Sequence, residues 1–500
     1  MKGNIIYGNG TLTDENERSL TGIECAIEFP ENYFGVIKVT AFTYLKPQKY
    51  HLLLERNGDS YEMELLWISS ESSDKKENEL NKRQRTTFLA NDMRETNLRG
   101  SGENVSKVSS RKLNEIIFYL SPYTGIPVSY SVSSTYDGQV KTQFVNKELF
   151  KFEVSGLGEV QFDIFFSKQE IDEPFKNSIT MEYPVCILML KQPIDMGDIF
   201  WDTINQDVVP KIDNLLAIVG FMNNRRVIWY KYETSDAVNV YKFYRHTPKI
   251  DVFIRGKNRE ELIPPEHFSH FLKNAIEKLY NSPYKYRMMT AFSDISWKST
   301  SEINISEDIY LSLFSAMEGL FLIYRRISNK ENILGSSQFD KLRSAFLRTI
   351  RSLELRNEVE QSIINKLPEL NRYSLREVYE QFVRERHLDV EALWPVYTGS
   401  GDKPGLSDIR NVLIHGEDAD YFNIYIYAQY HLELILQRVI CNLLEWPLDK
   451  TNIGNDKLKN YIAVANMKDI RDEVKIQYAQ IQEKIKNEKK ALNHLGAKKS

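Results

Sequence analysis

The sequence predicts an α+β multidomain protein, in which a β-rich, sandwich-like N-terminal region precedes an all-α helical bundle. Three observations lead there. Apolar residues alternate with polar ones over short runs in the first half, the period of half-buried strands. From about Pro264 the period changes to that of helices. And 500 residues exceed what one hydrophobic core usually organises.

The strand pattern is plainest where Ile23, Cys25, Ile27 and Phe29 alternate with Glu24, Ala26 and Glu28. Similar runs cover 35–45, 50–55 and 61–67, and then 115–120, 139–145, 149–154 and 159–166. Asp137-Gly138 and Gly156-Leu157-Gly158 supply turns, and Gly8-Asn9-Gly10 reads as another. Residues 69–111 are crowded with Ser, Asn, Glu, Lys and Arg and are expected to form a mobile polar insertion. A helix is expected over 198–222, broken near Pro210, then two aromatic strands at 226–233 and 239–246. Their rings could stack bases, but sheet packing accounts for them more cheaply.

In the second half, Ile309, Leu313, Ala316, Met317, Leu320 and Tyr324 fall on one helical stripe. Its run of apolar residues is short for a bilayer and interrupted by Ser312, Ser315 and Glu318, so a buried helix is expected, not a membrane span. Further helices are expected at 338–353, 358–366, 375–386 and 421–444, the last stopping at Trp446-Pro447. The domain scheme is therefore 1–262 as a β-rich sensing or regulatory region, 263–450 as the helical domain, and 451–500 as a helical, basic tail. That tail reads as a solvated helix face, with phosphate contact as the sharper alternative.

Composition narrows the function classes. A net charge near −4 provides no global basic field for coating nucleic acid. Three scattered cysteines form no CxxC pair, which argues against a zinc site or disulfide framework and suits the cytoplasm. No apolar run of signal-peptide length opens the chain. His267 and His270 lack a partner for metal ligation and read as a helix-start surface pair.

Chemistry gathers at Gly405-Leu406-Ser407-Asp408-Ile409-Arg410-Asn411-Val412-Leu413-Ile414-His415-Gly416. Ser407 is the expected N-cap, Asp408 suits the positive helix end, and Gly416 suits the stop. Helical spacing stacks Asn411 and His415 on one face, with Arg410 one step round. Histidine can act as general base or acid near neutral pH, and arginine offers a charged fork to a phosphorane-like transition state. The trio thus suits attack of a ribose 2′-hydroxyl on its neighbouring phosphate. Of the eight histidines, His415 is the only one with an arginine five positions before it. Glu318, among apolar neighbours, needs a partner: either an ordinary salt bridge within the bundle or Arg410 itself.

The stretch from Arg410 to His415 resembles the Arg-x4–6-His signature of HEPN domains. Together with Phe314-Ser315-Ala316-Met317-Glu318-Gly319-Leu320 and the long β-rich region before it, it is similar to ApeA-type antiphage proteins. The likeness is residue-specific over about 303–444 and architectural before that. It implies an HEPN helical bundle, metal-independent endoribonuclease activity on host RNA such as tRNA, and a role in abortive antiphage defence. By that likeness Arg410 and His415 would be catalytic and Asn411 would assist. The resemblance further implies a dimeric site, and a trigger derived from phage is expected with it; no cofactor is expected, and the sequence itself addresses the chain to no membrane partner. One motif supplies one imidazole, so a homodimer through 410–415 and 421–444 would double the set. A non-catalytic HEPN module binding RNA, nucleotide or a partner protein is the alternative.

Overall fold

The computed structural model describes residues 5–30, 34–71, 85–98, 112–122, 124–126, 130–134, 140–144, 151–169, 179–195, 200–236, 239–248, 260–297, 307–397, 404–414, 422–458 and isolated positions up to 487. A β-rich N-terminal region is followed by a helical C-terminal one. Two compact units result, one of residues 1–276 with 299–302, the other of 277–298 with 303–500. The division falls inside a helix, Phe268–Tyr280.

The β-rich unit is built on one antiparallel sheet, part of which closes into a barrel where two facing sheets were expected. In chain order its first strands are β1 (Ile5–Asp14), β2 (Ser19–Glu28), β3 (Ile37–Ala41), β4 (Tyr50–Arg56), β5 (Asp59–Glu71) and β6 (Arg85–Leu98). They run β6-β3-β2-β1-β4-β5, and β5 pairs back onto β6. Closure removes the free edges that an open sheet exposes. Leu12, Ile27, Val39, Leu52, Leu65 and Phe88 fill the interior. Gly8 and Gly10 are no hairpin turn: they lie inside β1, where a Cβ would meet Leu54 at 2.9 Å and Leu52 at 2.6 Å.

Within the insertion expected at 69–111, residues 69–71 and 85–98 are strand, which corrects that part of the reading; 72–84 and 99–111 lie outside the described residues. Phe88, Ala90 and Met93 of β6 are buried in the barrel. Two features hide β6 in the sequence. Between the pairs Met63↔Met93 and Leu65↔Ala90, two residues of β6, Asn91 and Asp92, oppose the single Glu64 of β5. Such a bulge breaks the period-2 alternation. The strand also buries polar groups with their own partners: Thr86 Oγ1 donates to Thr43 O at 2.8 Å, and Glu95 accepts from Lys242 and Tyr244.

The sheet continues beyond β6 through β14 (Asn239–Arg245), β13 (Trp229–Ser235), β7 (Lys112–Leu120), β12 (Ile179–Asp195), β11 (Gly158–Gln169) and β10 (Lys151–Val154). β8 (Tyr130–Ser134) and β9 (Val140–Phe144) pair separately; Asp137-Gly138 between them lies outside the described residues. Trp229, Tyr230, Tyr232, Tyr241, Phe243 and Tyr244 are buried, as packing requires. The expected break near Pro210 takes a specific form. A π-helical turn, Ile204–Val208, precedes the helix Val209–Met222. The proline ring would clash with the carbonyl four residues back, and the wider π turn relieves it. Asp213 of that helix accepts from Trp229 Nε1 at 2.9 Å and from Arg245 at 2.9 Å, tying it to the sheet.

In the helical unit, α1 (Lys285–Trp297), α2 (Glu307–Ile327), α3 (Ser336–Ser352), α4 (Asn357–Lys366), α5 (Leu375–Glu385), α6 (Leu406–Ile414) and α7 (Phe422–Leu443) follow one another. The predicted stripe of α2 is buried throughout. Along α7, Ala428, Leu432, Ile435 and Val439 are fully buried. This described part of the segment expected at a dimer interface is therefore bundle core. α7 ends in a Schellman turn: Glu445 takes a left-handed φ of 55°, and Trp446 N–H donates to Cys441 O at 2.8 Å before Pro447. All three cysteines are buried free thiols. No described helix is long and apolar enough to cross a membrane. Of the basic tail, only 451–458 and scattered positions are described, and the latter are helical and exposed where their burial is given.

Candidate active site

α6 is a nine-residue helix whose start is held by the chain just before it. Leu406 N–H donates to Pro395 O at 2.9 Å and Ser407 N–H to Val396 O at 2.8 Å. Those are two of the backbone donors that a helix start leaves without intrahelical partners. The N-cap position is Gly405, two residues earlier than the expected Ser407, which sits inside the first turn. Asp408 completes the start by accepting from Gly405 N–H at 2.7 Å, the return half of a capping box. Trp394 braces the approach: its indole donates to Pro404 O at 2.9 Å and its backbone N–H to His431 Nδ1 at 3.3 Å. From α2, the buried Tyr310 hydroxyl donates to Leu406 O at 2.7 Å.

This anchoring buries Leu406, Ile409, Val412 and Leu413 and turns the opposite face outward. Ser407 and Arg410 are half-buried on that face, and Asn411 and Ile414 are exposed. His415 itself, with 416–421, lies outside the described residues.

The structure brings Arg410, Asn411 and Glu318 together. Arg410 Nη2 lies 3.5 Å from Glu318 Oε2, and Nη1 donates to Asn411 Oδ1 at 3.2 Å. The guanidinium carbon stands 5.7 Å from the Phe314 ring centroid, on the same helix as Glu318. Two contacts leave donors of the five-N–H fork for an incoming oxyanion, and the Arg410 side chain remains 33% exposed to meet one. Glu318 thus has Arg410 as its partner, so its two sequence-based readings describe one ion pair. Burial raises the Glu318 pKa, while the Arg410 charge opposes the rise.

Tyr397 was missed by sequence reasoning. Its hydroxyl is buried with no hydrogen-bond partner among the described residues, and its ring lies 5.8 Å from that of Tyr379. Burial raises its pKa, the Glu318 charge raises it further, and Arg410 opposes. No spacing rule links Trp394-Pro395-Val396-Tyr397 to the motif; only the backbone bonds from 395 and 396 to α6 do. Among the described residues, no group of three or more His, Cys, Asp or Glu side chains could hold a metal ion.

The Glu318→Gln variant separates fold from site. A carboxyl with a raised folded pKa favours the fold while protonated, and that contribution is lost as pH rises through its folded value. Replacing Glu318 by glutamine removes this pH dependence and leaves Arg410 without its anion. For a half-exposed pair the stability change at neutral pH should stay within about 1 kcal/mol. Denaturant melts of wild type and variant from pH 4 to 8 check this; a destabilisation of several kcal/mol at pH 7 would mean the pair holds the bundle together.

Comparison with family models, with curated proteins and with solved structures found no match for this chain.

Proposed function

We propose that the helical unit is a metal-independent HEPN-type endoribonuclease, with Arg410 and His415 as catalytic groups and Asn411 assisting. The observation that carries this reading is the placement of Arg410. It stands on the outward face of a firmly anchored helix, held from behind by Glu318 and beside Asn411, with donors still open. A guanidinium in that setting suits an in-line phosphate, where fixed positive charge stabilises the transition state. His415, one turn beyond Asn411 in sequence, supplies the proton-transfer group. Host RNA such as tRNA is the substrate, cleavage serves abortive antiphage defence in the cytoplasm, and the β-rich unit senses infection or selects substrate. This extends the resemblance carried by residues 410–415.

The test is an RNase assay on total RNA with EDTA present. Cleavage should persist and yield ends bearing a 2′,3′-cyclic phosphate or its hydrolysed form, since the 2′-hydroxyl is the nucleophile. Activity abolished by EDTA and restored by magnesium or manganese would assign the chemistry to a metal instead.

A second copy of the chain completes the site in this reading. The outward stripe of α6, with Ile414 51% exposed beside Asn411, is the surface that meets its counterpart across a two-fold axis. Mixing inactive Arg410→Ala and His415→Ala chains should then restore part of the activity. A fully active monomer by light scattering would refute the shared site.

A further inference from the structure

Helices α3 and α4 hold almost nothing of their apolar faces inside the bundle. They run for 17 and 10 residues, lengths at which most helical stability comes from packing one face. Yet Ile350 is the only buried residue of the two. Leu342 and Phe346 on α3, Leu353 at its end, and Val359 and Ile363 on α4 stand 40%, 37%, 60%, 45% and 38% exposed. These residues are not scattered. Leu342, Phe346 and Leu353 follow the spacing of one helical face, and Val359 and Ile363 lie one turn apart on another. Each helix therefore carries an apolar face that its own chain leaves largely uncovered.

Area and charge together indicate what covers it. The five side chains expose roughly 400 Å² of apolar surface, a patch of the size that marks an interaction site on a soluble protein. Two such faces in contact remove about 800 Å², and since homodimer interfaces are about 65% apolar, the whole contact reaches about 1,200 Å², the lower end of stable interfaces. The charges are split between the helices. α3 carries Lys341, Arg343, Arg348 and Arg351 against Asp340 alone, whereas the turn and α4 carry Glu354, Glu358 and Glu360 against Arg356 and Lys366. Arg351 and Glu360 meet within the hairpin at 4.0 Å. Among the described residues, Lys341, Arg343, Arg348, Glu354 and Glu358 close no ion pair. A lipid or nucleic-acid surface has one sign of charge and meets half of this pattern. A second hairpin meets all of it. A two-fold axis parallel to the helices sets α3 of one chain against α4 of the other, with neighbours antiparallel, as in an up-down four-helix bundle. The cations of α3 then face the carboxylates at the start of the other α4 while the apolar faces close on each other.

We propose that the α3–α4 hairpin docks onto the same hairpin of a second copy of the chain, forming a four-helix contact about a two-fold axis. The surface uses none of α6, so the inference does not rest on the ribonuclease reading.

Sedimentation velocity of the full chain at about 10 μM is the test, since interfaces of standard size bind at micromolar or tighter. Wild type is expected to associate. Leu342→Glu/Phe346→Glu should associate at least about tenfold more weakly with unchanged circular dichroism, because both side chains are exposed in the single chain and surface substitutions cost it little. Charge variants identify the partner, and they decide the matter even if the apolar variant misfolds. Arg343→Glu/Arg348→Glu and Glu354→Lys/Glu358→Lys chains should each self-associate more weakly than wild type. An equimolar mixture of the two should associate again, since opposite charges then meet in both directions. The proposal is overturned if wild type is monomeric at this concentration, or if the mixture stays as weak as its components. It is also overturned if the folded apolar variant associates as strongly as wild type, which would assign the contact to another surface such as α6. A monomeric wild type that binds phosphatidylserine vesicles, and loses them on the same apolar substitution, would give the hairpin to a lipid surface instead.

Discussion

Arg410→Ala and His415→Ala should each lower RNA cleavage by ~10²–10⁴-fold, the usual cost of removing a group that transfers a proton or stabilises transition-state charge. For Arg410 the physical reason lies in the site. Its guanidinium is the one cation of α6, and Glu318 holds it in place without covering it. Alanine removes the charge and leaves the Glu318 carboxylate without its partner. The Glu318 side chain is 21% exposed and can turn to water, so the fold should persist, with near-native circular dichroism. Arg410→Lys keeps the charge but loses the planar fork, and activity should fall well below wild type. Single-turnover cleavage of a labelled RNA measures all three variants. Near-wild-type rates in either alanine variant would remove these residues from the site.

Phe88→Ala should destabilise the β-rich unit by about 3–5 kcal/mol, the range for deleting a buried aromatic ring. Phe88 is fully buried in the barrel and packs edge-on against Tyr50 with centroids 5.6 Å apart. Chemical denaturation followed by tryptophan fluorescence reads the loss. A change under about 0.5 kcal/mol, typical of surface substitutions, would return 85–98 to the mobile insertion that its polarity suggested.

The legible parts of the fold are those where one period dominates. The α2 stripe from Ile309 to Tyr324 and the strand face of Tyr61, Met63 and Leu65 could be read directly, because each side chain answers to a single buried face; Trp67, expected on that same face, is instead 37% exposed. β6 could not. Its bulge at Asn91-Asp92 shifts the alternation by one residue, and Thr86 and Glu95 are buried with partners from distant strands. β1 was lost for a related reason. Gly8 and Gly10 look like turn residues, but here they make room for Leu52 and Leu54. Barrel closure depends on β5 returning to β6, a pairing between strands separated by polar sequence, and no local pattern encodes it.

The site was legible as far as a helix can be read. Arg410 and Asn411 stand together on the outward face of α6, as their spacing required, and the part-buried carboxylate of Glu318 has the partner its apolar surroundings demanded. Tyr397 belongs to the site only through tertiary packing. The N-cap moved from Ser407 to Gly405 because carbonyls 395 and 396 already satisfy the first donors, which leaves no role for a serine cap.

The central claim is that the chain cuts RNA at a site built on Arg410 and His415. Sequencing of RNA 5′ and 3′ ends from cells expressing wild type or His415→Ala tests it most directly. The account predicts discrete new ends with 2′,3′-cyclic phosphate chemistry in the wild type alone, under conditions that activate the protein. Identical end profiles for the two proteins, when phage infection supplies the trigger, would contradict it.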